Sequence, residues 1–290
     1  MVQQVVKSRE IRAGSDGERS RTGSEPNHAD RELALELRGI TKQFESRSGT
    51  VVALKDVSLT VRRREFVALV GRSGCGKTTM LRIFAGLTPP SFGDVCAGGR
   101  PLWRDGSRDP ETTAGLGIVF QDAHLFPWYT VEDNIALPLK LQGVGKADRL
   151  ARARELCALV GIAGFERAYP RELSGGMRQR VAIARALSYR PDVLLMDEPF
   201  GALDALTREK MNLELQSLAM RSDSTVVLVT HSIREAVFLA DRVVLLSPRP
   251  GRIRSITEVE FPRPRRLDVE ADPRFQEIVR ELRRQLDEAT

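Results

Sequence analysis

The chain has 290 residues, 41% hydrophobic and 29% charged, with a net charge of +6 at neutral pH. That is the profile of a globular protein of one large domain, or one domain and a subdomain, with ample material for a core. No run of about 18 apolar residues occurs, which excludes a membrane-spanning helix, and the scattered basic residues read as a solvated surface, with no nucleic-acid partner expected.

Residues 1–32 are polar and charged, without an apolar signal core, and read as a disordered extension. Leu33 to Phe44 and Val51 to Val61 alternate as strands around the turn-like Glu45-Ser46-Arg47-Ser48-Gly49. Phe44 stands just before that turn, where its ring could stack on a nucleotide base or cap the strand against the core. Small basic clusters stand at Arg62-Arg63-Arg64 and at Arg263 to Arg266.

Phe66 to Val70 is an apolar run of the buried parallel type. Behind it come Gly71-Arg72-Ser73-Gly74-Cys75-Gly76-Lys77-Thr78-Thr79 and a helix reaching Gly86. Strand, G-x-x-x-x-G-K-[ST] and helix, in that order, give the context of a phosphate-binding loop. Glycines let backbone N–H groups curl around an anion, and the helix N-terminus adds its dipole. In such a loop Lys77 reaches the β- and γ-phosphates, and the Thr78 hydroxyl ligates a magnesium ion. Cys75 lies inside the loop, where nearby positive charge could lower its thiol pKa; a small residue accommodated by the turn is the plainer reading. Cys75, Cys96 and Cys157 share neither metal-ligand spacing nor a disulfide framework, and they fit a reducing compartment.

Thr88 to Asp94 is a Pro/Gly punctuation zone, and Gly115 to Gln121 reads as a strand with a polar end. Asp122 to Thr130 is a loop carrying Phe126-Pro127-Trp128-Tyr129, bulky residues that suit a contact surface. From Val131 to Leu159 the periodicity is helical, broken at Gly143 to Gly145, as in a helical subdomain inserted into α/β alternation. Ser174 reads as the N-cap of a helix running to about Leu187, again a helix start suited to an anion. Pro191 to Asp197 is a buried strand that runs into two carboxylates, Asp197 and Glu198, and stops at Pro199. A helix from Asp204, a strand from Thr225 ending at Thr230-His231, a helix from Ile233 to Ala240 and a strand at Val243 to Leu246 follow. Polar residues at the C-terminal ends of alternating strands indicate a mostly parallel sheet with its ligand crevice there. Pro248-Arg249-Pro250-Gly251 reads as a turn and Arg252 to Phe261 as an edge strand. Phe275, Ile278, Val279, Leu282 and Leu286 space out one amphipathic helix, expected to pack on its own domain.

Taken in order, these motifs resemble the nucleotide-binding subunit of ATP-binding cassette transporters, over roughly Leu33 to Phe261. The phosphate loop is Gly71 to Thr79, and Gln121 matches the Q-loop. Leu173-Ser174-Gly175-Gly176-Met177 matches the signature sequence. Asp197 ends the Walker B strand with Glu198 as the catalytic carboxylate, Gly201 to Asp204 matches the D-loop, and His231 matches the switch histidine. The resemblance implies an α/β fold: a P-loop NTPase core of mostly parallel sheet with flanking helices, an antiparallel β subdomain and an inserted α-helical subdomain. It implies a cassette at 33–262, its helical subdomain at about 122–188, and an amphipathic tail at 263–290. ATP and Mg²⁺ are the cofactors implied, with Thr78, Gln121 and Asp197 at the metal. Glu198 would be the general base, His231 would contact the γ-phosphate, and Gln121 would sense the metal and the attacking water.

In that family Ser174, Gly175, Gly176 and Met177 act in trans, against the phosphate loop of a second copy, with Asp204 in the D-loop. A head-to-tail homodimer around two ATP molecules is therefore implied. Met177 stands where many members have Gln, outside the Ser-Gly-Gly anion site. The stretches Phe120 to Trp128 and Ser247 to Ile253 look like the importer group for nitrate, sulfonates and taurine, and too few residues follow the last strand for the β-barrel regulatory domain of the polyamine, iron and sugar importers. The implied partners are transmembrane permease subunits and, indirectly, an extracytoplasmic solute-binding protein. The implied location is peripheral, at the cytoplasmic side of the inner membrane. A soluble, non-transport cassette ATPase is the alternative; those usually carry two cassettes or long coiled coils, and neither occurs here.

Overall fold

The computed structural model describes residues 32–46, 49–104, 106–201 and 203–288. The extension expected at 1–32 lies outside the described residues except for Glu32, and so do Arg47 and Ser48 of the expected turn.

The first alternating stretches form β1 (Leu33–Ser46) and β2 (Gly49–Arg62), an antiparallel pair. The run Phe66–Val70 is β3, wholly buried, and the glycine-rich motif leads into α1 (Lys77–Phe84). Within the zone read as punctuation, Phe92–Ala97 is instead a strand, β4, paired antiparallel with β1. Gly93 serves close approach there rather than a turn. Its φ is +88°, and a Cβ on it would stand 2.4 Å from the Arg38 carbonyl oxygen across the ladder. Short pieces follow, β5 (Arg100–Pro101), β6 (Trp103–Arg104), β7 (Ser107–Arg108) and α2 (Pro110–Thr113), before β8 (Leu116–Val119).

The helical block is α3 (Val131–Leu141), α4 (Lys146–Leu159) and α5 (Gly175–Leu187). Thr130 caps α3 by accepting the Asp133 N–H at 3.3 Å, and Ser174 caps α5 by accepting the Met177 N–H at 3.3 Å. Then β9 (Val193–Asp197), α6 (Ala205–Ser222), β10 (Thr225–Thr230), α7 (Ile233–Leu239) and β11 (Arg242–Leu246) alternate as the sequence leads one to expect. The edge strand β12 (Ile253–Glu258) and the helix α8 (Pro273–Asp287) complete the described chain.

Two sheets organise these elements. The larger runs β12-β11-β3-β10-β9-β8, parallel throughout except for β12. Alternate side chains of its strands face opposite layers. Phe66, Ala68 and Val70 join a core with α5, α7 and α8, whereas Val67 and Leu69 join one with α1 and the antiparallel sheet β2-β1-β4-β5. Burying both faces explains why β3, β9 and β10 read as continuous apolar runs. In α8, Phe275, Val279 and Leu282 are buried in the first of these cores, as the spacing of the tail requires.

The basic cluster at Arg263 to Arg266 departs from the solvated reading. Arg263 pairs with Asp241 at 2.7 Å, and Arg265 is only 2% exposed. The Arg265 guanidinium donates to the carbonyls of Val237, Phe238 and Ala240 at 2.9, 3.1 and 2.8 Å, closing the C-terminal end of α7. It also donates to Val259 and Phe261, while its backbone N–H donates to Gln216 Oε1 at 2.7 Å. Burial pulls its pKa down to about 10, with the Asp241 carboxylate opposing. The planar five-donor head suits a nest of carbonyls as no ammonium could.

Candidate functional site

The register of the parallel sheet brings the polar strand ends together. Val70 of β3 lies opposite Thr230 of β10, Val229 lies opposite Asp197 of β9, and Met196 lies opposite Val119 of β8. The Gly71 loop, the Gln121 segment, Asp197-Glu198 and Thr230-His231 therefore leave the sheet at one edge. This is the carboxyl-end crevice of an α/β sheet.

Within the loop, Gly74 and Gly76 have φ of +77° and +101°, and Gly76 is the N-cap of α1. No acidic residue occupies the first turn of that helix, so its N–H groups face the crevice unopposed. Lys77 is buried, and its Nζ donates to the Gly71 and Arg72 carbonyls at 2.8 and 3.2 Å. Thr78 Oγ1 donates to Asp197 Oδ1 at 3.1 Å. Asp197 is 7% exposed; burial pushes its carboxyl pKa up, the Thr78 hydroxyl opposes this, and the Glu198 charge adds to it. Desolvated and beside a hydroxyl, this carboxylate is set to be compensated by a hard cation. No cluster of three or more His, Cys, Asp or Glu suited to a metal occurs among the described residues. A magnesium ion at Thr78 and Asp197 would therefore share its coordination with phosphate oxygens and water, as that ion does.

Glu198 has φ of +43°, an uncommon conformation for a residue with a side chain. Its N–H donates to the Val229 carbonyl at 2.9 Å, which turns the side chain out of the sheet. There Oε2 stands 3.2 Å from His231 Nδ1. Gln121 is exposed, just beyond β8 with Phe120 between. The carbonyl before it, that of Phe120, accepts from Gln179 Nε2 of α5 at 3.0 Å. From the same helix, Arg185 donates to the Ala123 and His124 carbonyls at 2.8 Å each. The helix that begins at Ser174 thus grips the segment that carries Gln121.

Ser174 and Gly175 are exposed, and Gly176 lies against Leu203, next to Asp204, the N-cap of α6. The Asp204 carboxyl is held below the usual range by the Thr207 hydroxyl and N–H. Among the described residues no hydrogen bond or ion pair joins Ser174–Met177 to Gly71–Thr79.

Two alternatives left open by the sequence are narrowed. Phe44 does not cap the strand against the core: it is 43% exposed, with Lys42 Nζ 5.0 Å from the ring centre. Cys75 is buried, and that burial pushes its thiol pKa up against the opposing Lys77 charge, so the loop does not activate it. The aromatic loop is as exposed as its composition implies, with Trp128 at 67% and the Phe126 and Trp128 rings 5.5 Å apart.

Two supports of the site were not read from the sequence. The buried Asn134 side chain accepts the Phe126 N–H at 2.8 Å and donates to the Phe126, Tyr129 and Thr130 carbonyls, fixing the aromatic loop. An asparagine so close behind a helix N-cap was the available signal. The turn 248–251 buttresses the phosphate loop. Arg249 Nε donates to the Gly74 carbonyl at 3.3 Å, and Gly251 exchanges hydrogen bonds with Ala53 and Lys55 of β2 at 2.9 and 3.0 Å.

Comparison with known proteins agrees with this geometry. Residues 54–201 match the family model described as ABC transporter. The taurine import ATP-binding protein of Burkholderia thailandensis is 46% identical over 254 residues, 84% of this chain and 95% of that protein. The nitrate import ATP-binding protein of Synechocystis sp. is 44% identical, covering 84% of this chain and 91% of that one. The aliphatic sulfonates import ATP-binding protein of Bacillus cereus is 40% identical, covering 88% and 96%. Among solved structures, an ATP-binding cassette in a dimeric, post-hydrolysis state bound to ADP and phosphate superposes with a TM-score of 0.70 at 32% identity, covering 79% of this chain and all of that one.

Proposed function

This chain belongs to the ABC transporter family, and from that membership we propose that it is the ATP-hydrolysing subunit of an importer for a small solute of the taurine, nitrate or sulfonate kind. The observation that carries the hydrolytic part is the pairing of Thr78 with Asp197 and of Glu198 with His231 along one sheet edge. The solute class rests on relatives named for three such solutes at 40–46% identity.

The residues divide the work by position. Backbone N–H groups of Gly71 to Thr79 and the Lys77 ammonium cradle the phosphates. A magnesium ion held by Thr78, Asp197 and Gln121 would neutralise charge on the transferred phosphoryl group. Glu198 accepts a proton from the attacking water, and His231 orients the γ-phosphate. Phe44 offers its exposed ring to the base. Phe44→Ala is therefore expected to raise KM for ATP roughly tenfold with kcat little changed; steady-state kinetics at varied ATP check it, and an unchanged KM removes the ring from the site.

Ser174 to Met177, which make no polar contact with their own phosphate loop among the described residues, complete the site of a second copy, with Asp204 beside that interface. The dimeric state of the solved cassette supports this reading. We take 33–262 as the cassette, 122–188 as its helical subdomain and 263–290 as its tail, seated peripherally on the cytoplasmic side of the inner membrane. No described helix is long and apolar enough to cross it. The permease of this reading is fed by an extracytoplasmic solute-binding protein and docks at Phe126 to Tyr129. Trp128→Ala should leave the isolated subunit's ATPase unchanged and weaken assembly with the permease by about 2 kcal/mol or more. Co-purification of the complex tests this; normal recovery counts against the docking loop.

A further inference from the structure

One carboxyl beside the hydrolytic pair has no task in the arrangement above. Glu235, in the first turn of α7, is 6% exposed. Its Oε2 accepts the Thr230 hydroxyl hydrogen, and Thr230 Oγ1 in turn accepts the Ser232 N–H at 3.0 Å. The Glu235 N–H donates to Ser232 Oγ at 3.3 Å. Glu235 thus ties both ends of the turn Thr230-His231-Ser232, Thr230 through its side chain and Ser232 through its backbone N–H. The other oxygen, Oε1, is buried and has no hydrogen-bond partner among the described residues. Glu235 also lines a small pocket with Glu198, Arg208 and His231, with room for about one water molecule.

Every charged group around that pocket has a fixed place. Arg208, from α6, is anchored by donating to the Leu203 and Phe200 carbonyls at 2.8 and 3.4 Å. Glu198 leads out of β9 and His231 out of β10, and they meet each other at 3.2 Å. Burial pushes the Glu235 carboxyl pKa up, with Thr230, Arg208 and His231 opposing and the Glu198 charge adding to it. A protonated carboxyl can donate into the pocket as well as accept. A water there would find donors and acceptors on all sides, and a buried oxygen facing them is otherwise a standing penalty.

We propose that Glu235 is a positioning residue for the Glu198–His231 pair, fixing the His231 turn through Thr230 and binding, at its free oxygen, a water in the pocket between them. This rests on the hydrolytic roles given to Glu198 and His231. The test is steady-state ATPase kinetics of the full-length protein with magnesium and ATP, for Glu235→Met, Thr230→Val and Glu235→Gln. The first two are expected to lower kcat roughly tenfold with KM for ATP unchanged. Their double variant should lose little more than either alone, because both break one connection. Glu235→Gln should restore most of kcat, its amide oxygen accepting from Thr230 and its NH₂ facing the pocket. A wild-type kcat in Thr230→Val overturns the proposal whether or not Glu235→Met folds, and so does a rise in KM alone. If Glu198→Gln turns over normally, the hydrolytic reading falls and the proposal with it; if Glu198→Gln is inactive while Thr230→Val is normal, the proposal alone falls.

Discussion

Glu198→Gln is expected to bind ATP with unchanged affinity, to turn it over at least about a hundredfold more slowly, and to accumulate as an ATP-bound dimer. Glutamine keeps the length of the side chain and can still hydrogen-bond His231, 3.2 Å away in the native protein. The backbone at φ +43° costs the same with either side chain, so the strand end should not move. Only the capacity to take a proton from water is lost. The contact between Thr78 and Asp197 and the whole of the phosphate loop lie outside the change, which is why binding should survive. Measuring ATPase rate, nucleotide affinity and the size of the ATP-bound species separates the outcomes. Unchanged turnover would remove Glu198 as the base, and loss of affinity along with turnover would point to damage of the loop.

Gly251→Ala is expected to cripple the site although it replaces no residue assigned to ATP binding. A Cβ on Gly251 would stand 2.0 Å from the Cys75 carbonyl oxygen and 3.2 Å from Leu54 Cδ2. The clash is with backbone, so no rotamer relieves it. The turn cannot retreat freely, because Gly251 is held to β2 by hydrogen bonds with Ala53 and Lys55. The movable member is the phosphate loop, pushed by roughly 1 Å, a displacement that costs on the order of a hundredfold in a positioned reaction. The loss should appear in both ATP affinity and kcat/KM, with melting temperature falling far less than for a core cavity. Wild-type nucleotide affinity in this variant would show that the turn does not brace the loop.

Much of this could be read from the chain because the parallel strands and the loops at their C-terminal ends are specified locally. Phe66 to Val70 and Val193 to Asp197 are apolar without alternation because both faces are covered, and the polar residues that follow them must then share an edge. What was not legible depended on contacts distant in sequence. The start of β4, Phe92 to Asp94, reads as punctuation because Gly93 looks like a turn until Arg38 is placed across from it. The exposure of Phe44 was undecidable while the strand's partner was unknown. Arg249, Asn134 and Glu235 are ordinary polar residues in the sequence and become supports of the site only when folding brings backbone groups to them. The Ser-Gly-Gly helix start was legible as an anion site from its residues alone, whereas its place opposite the phosphate loop of a second copy was legible only through the family resemblance.

The Arg265 contacts bear on how the protein is made. The carbonyls at the end of α7, the helix that starts just after His231, find their donors on a residue that follows closely on the last strand of the sheet. A nascent chain that has already produced every phosphate-loop, signature and switch residue still has an open helix end on the side of the sheet away from the catalytic edge, beside the start of β3, where the Phe66 carbonyl accepts the Asp241 N–H at 2.8 Å. A product truncated before Arg265 would lack these donors, and with them α8 and its buried Phe275, Val279 and Leu282, and is expected to be cleared by proteolysis faster than the full chain.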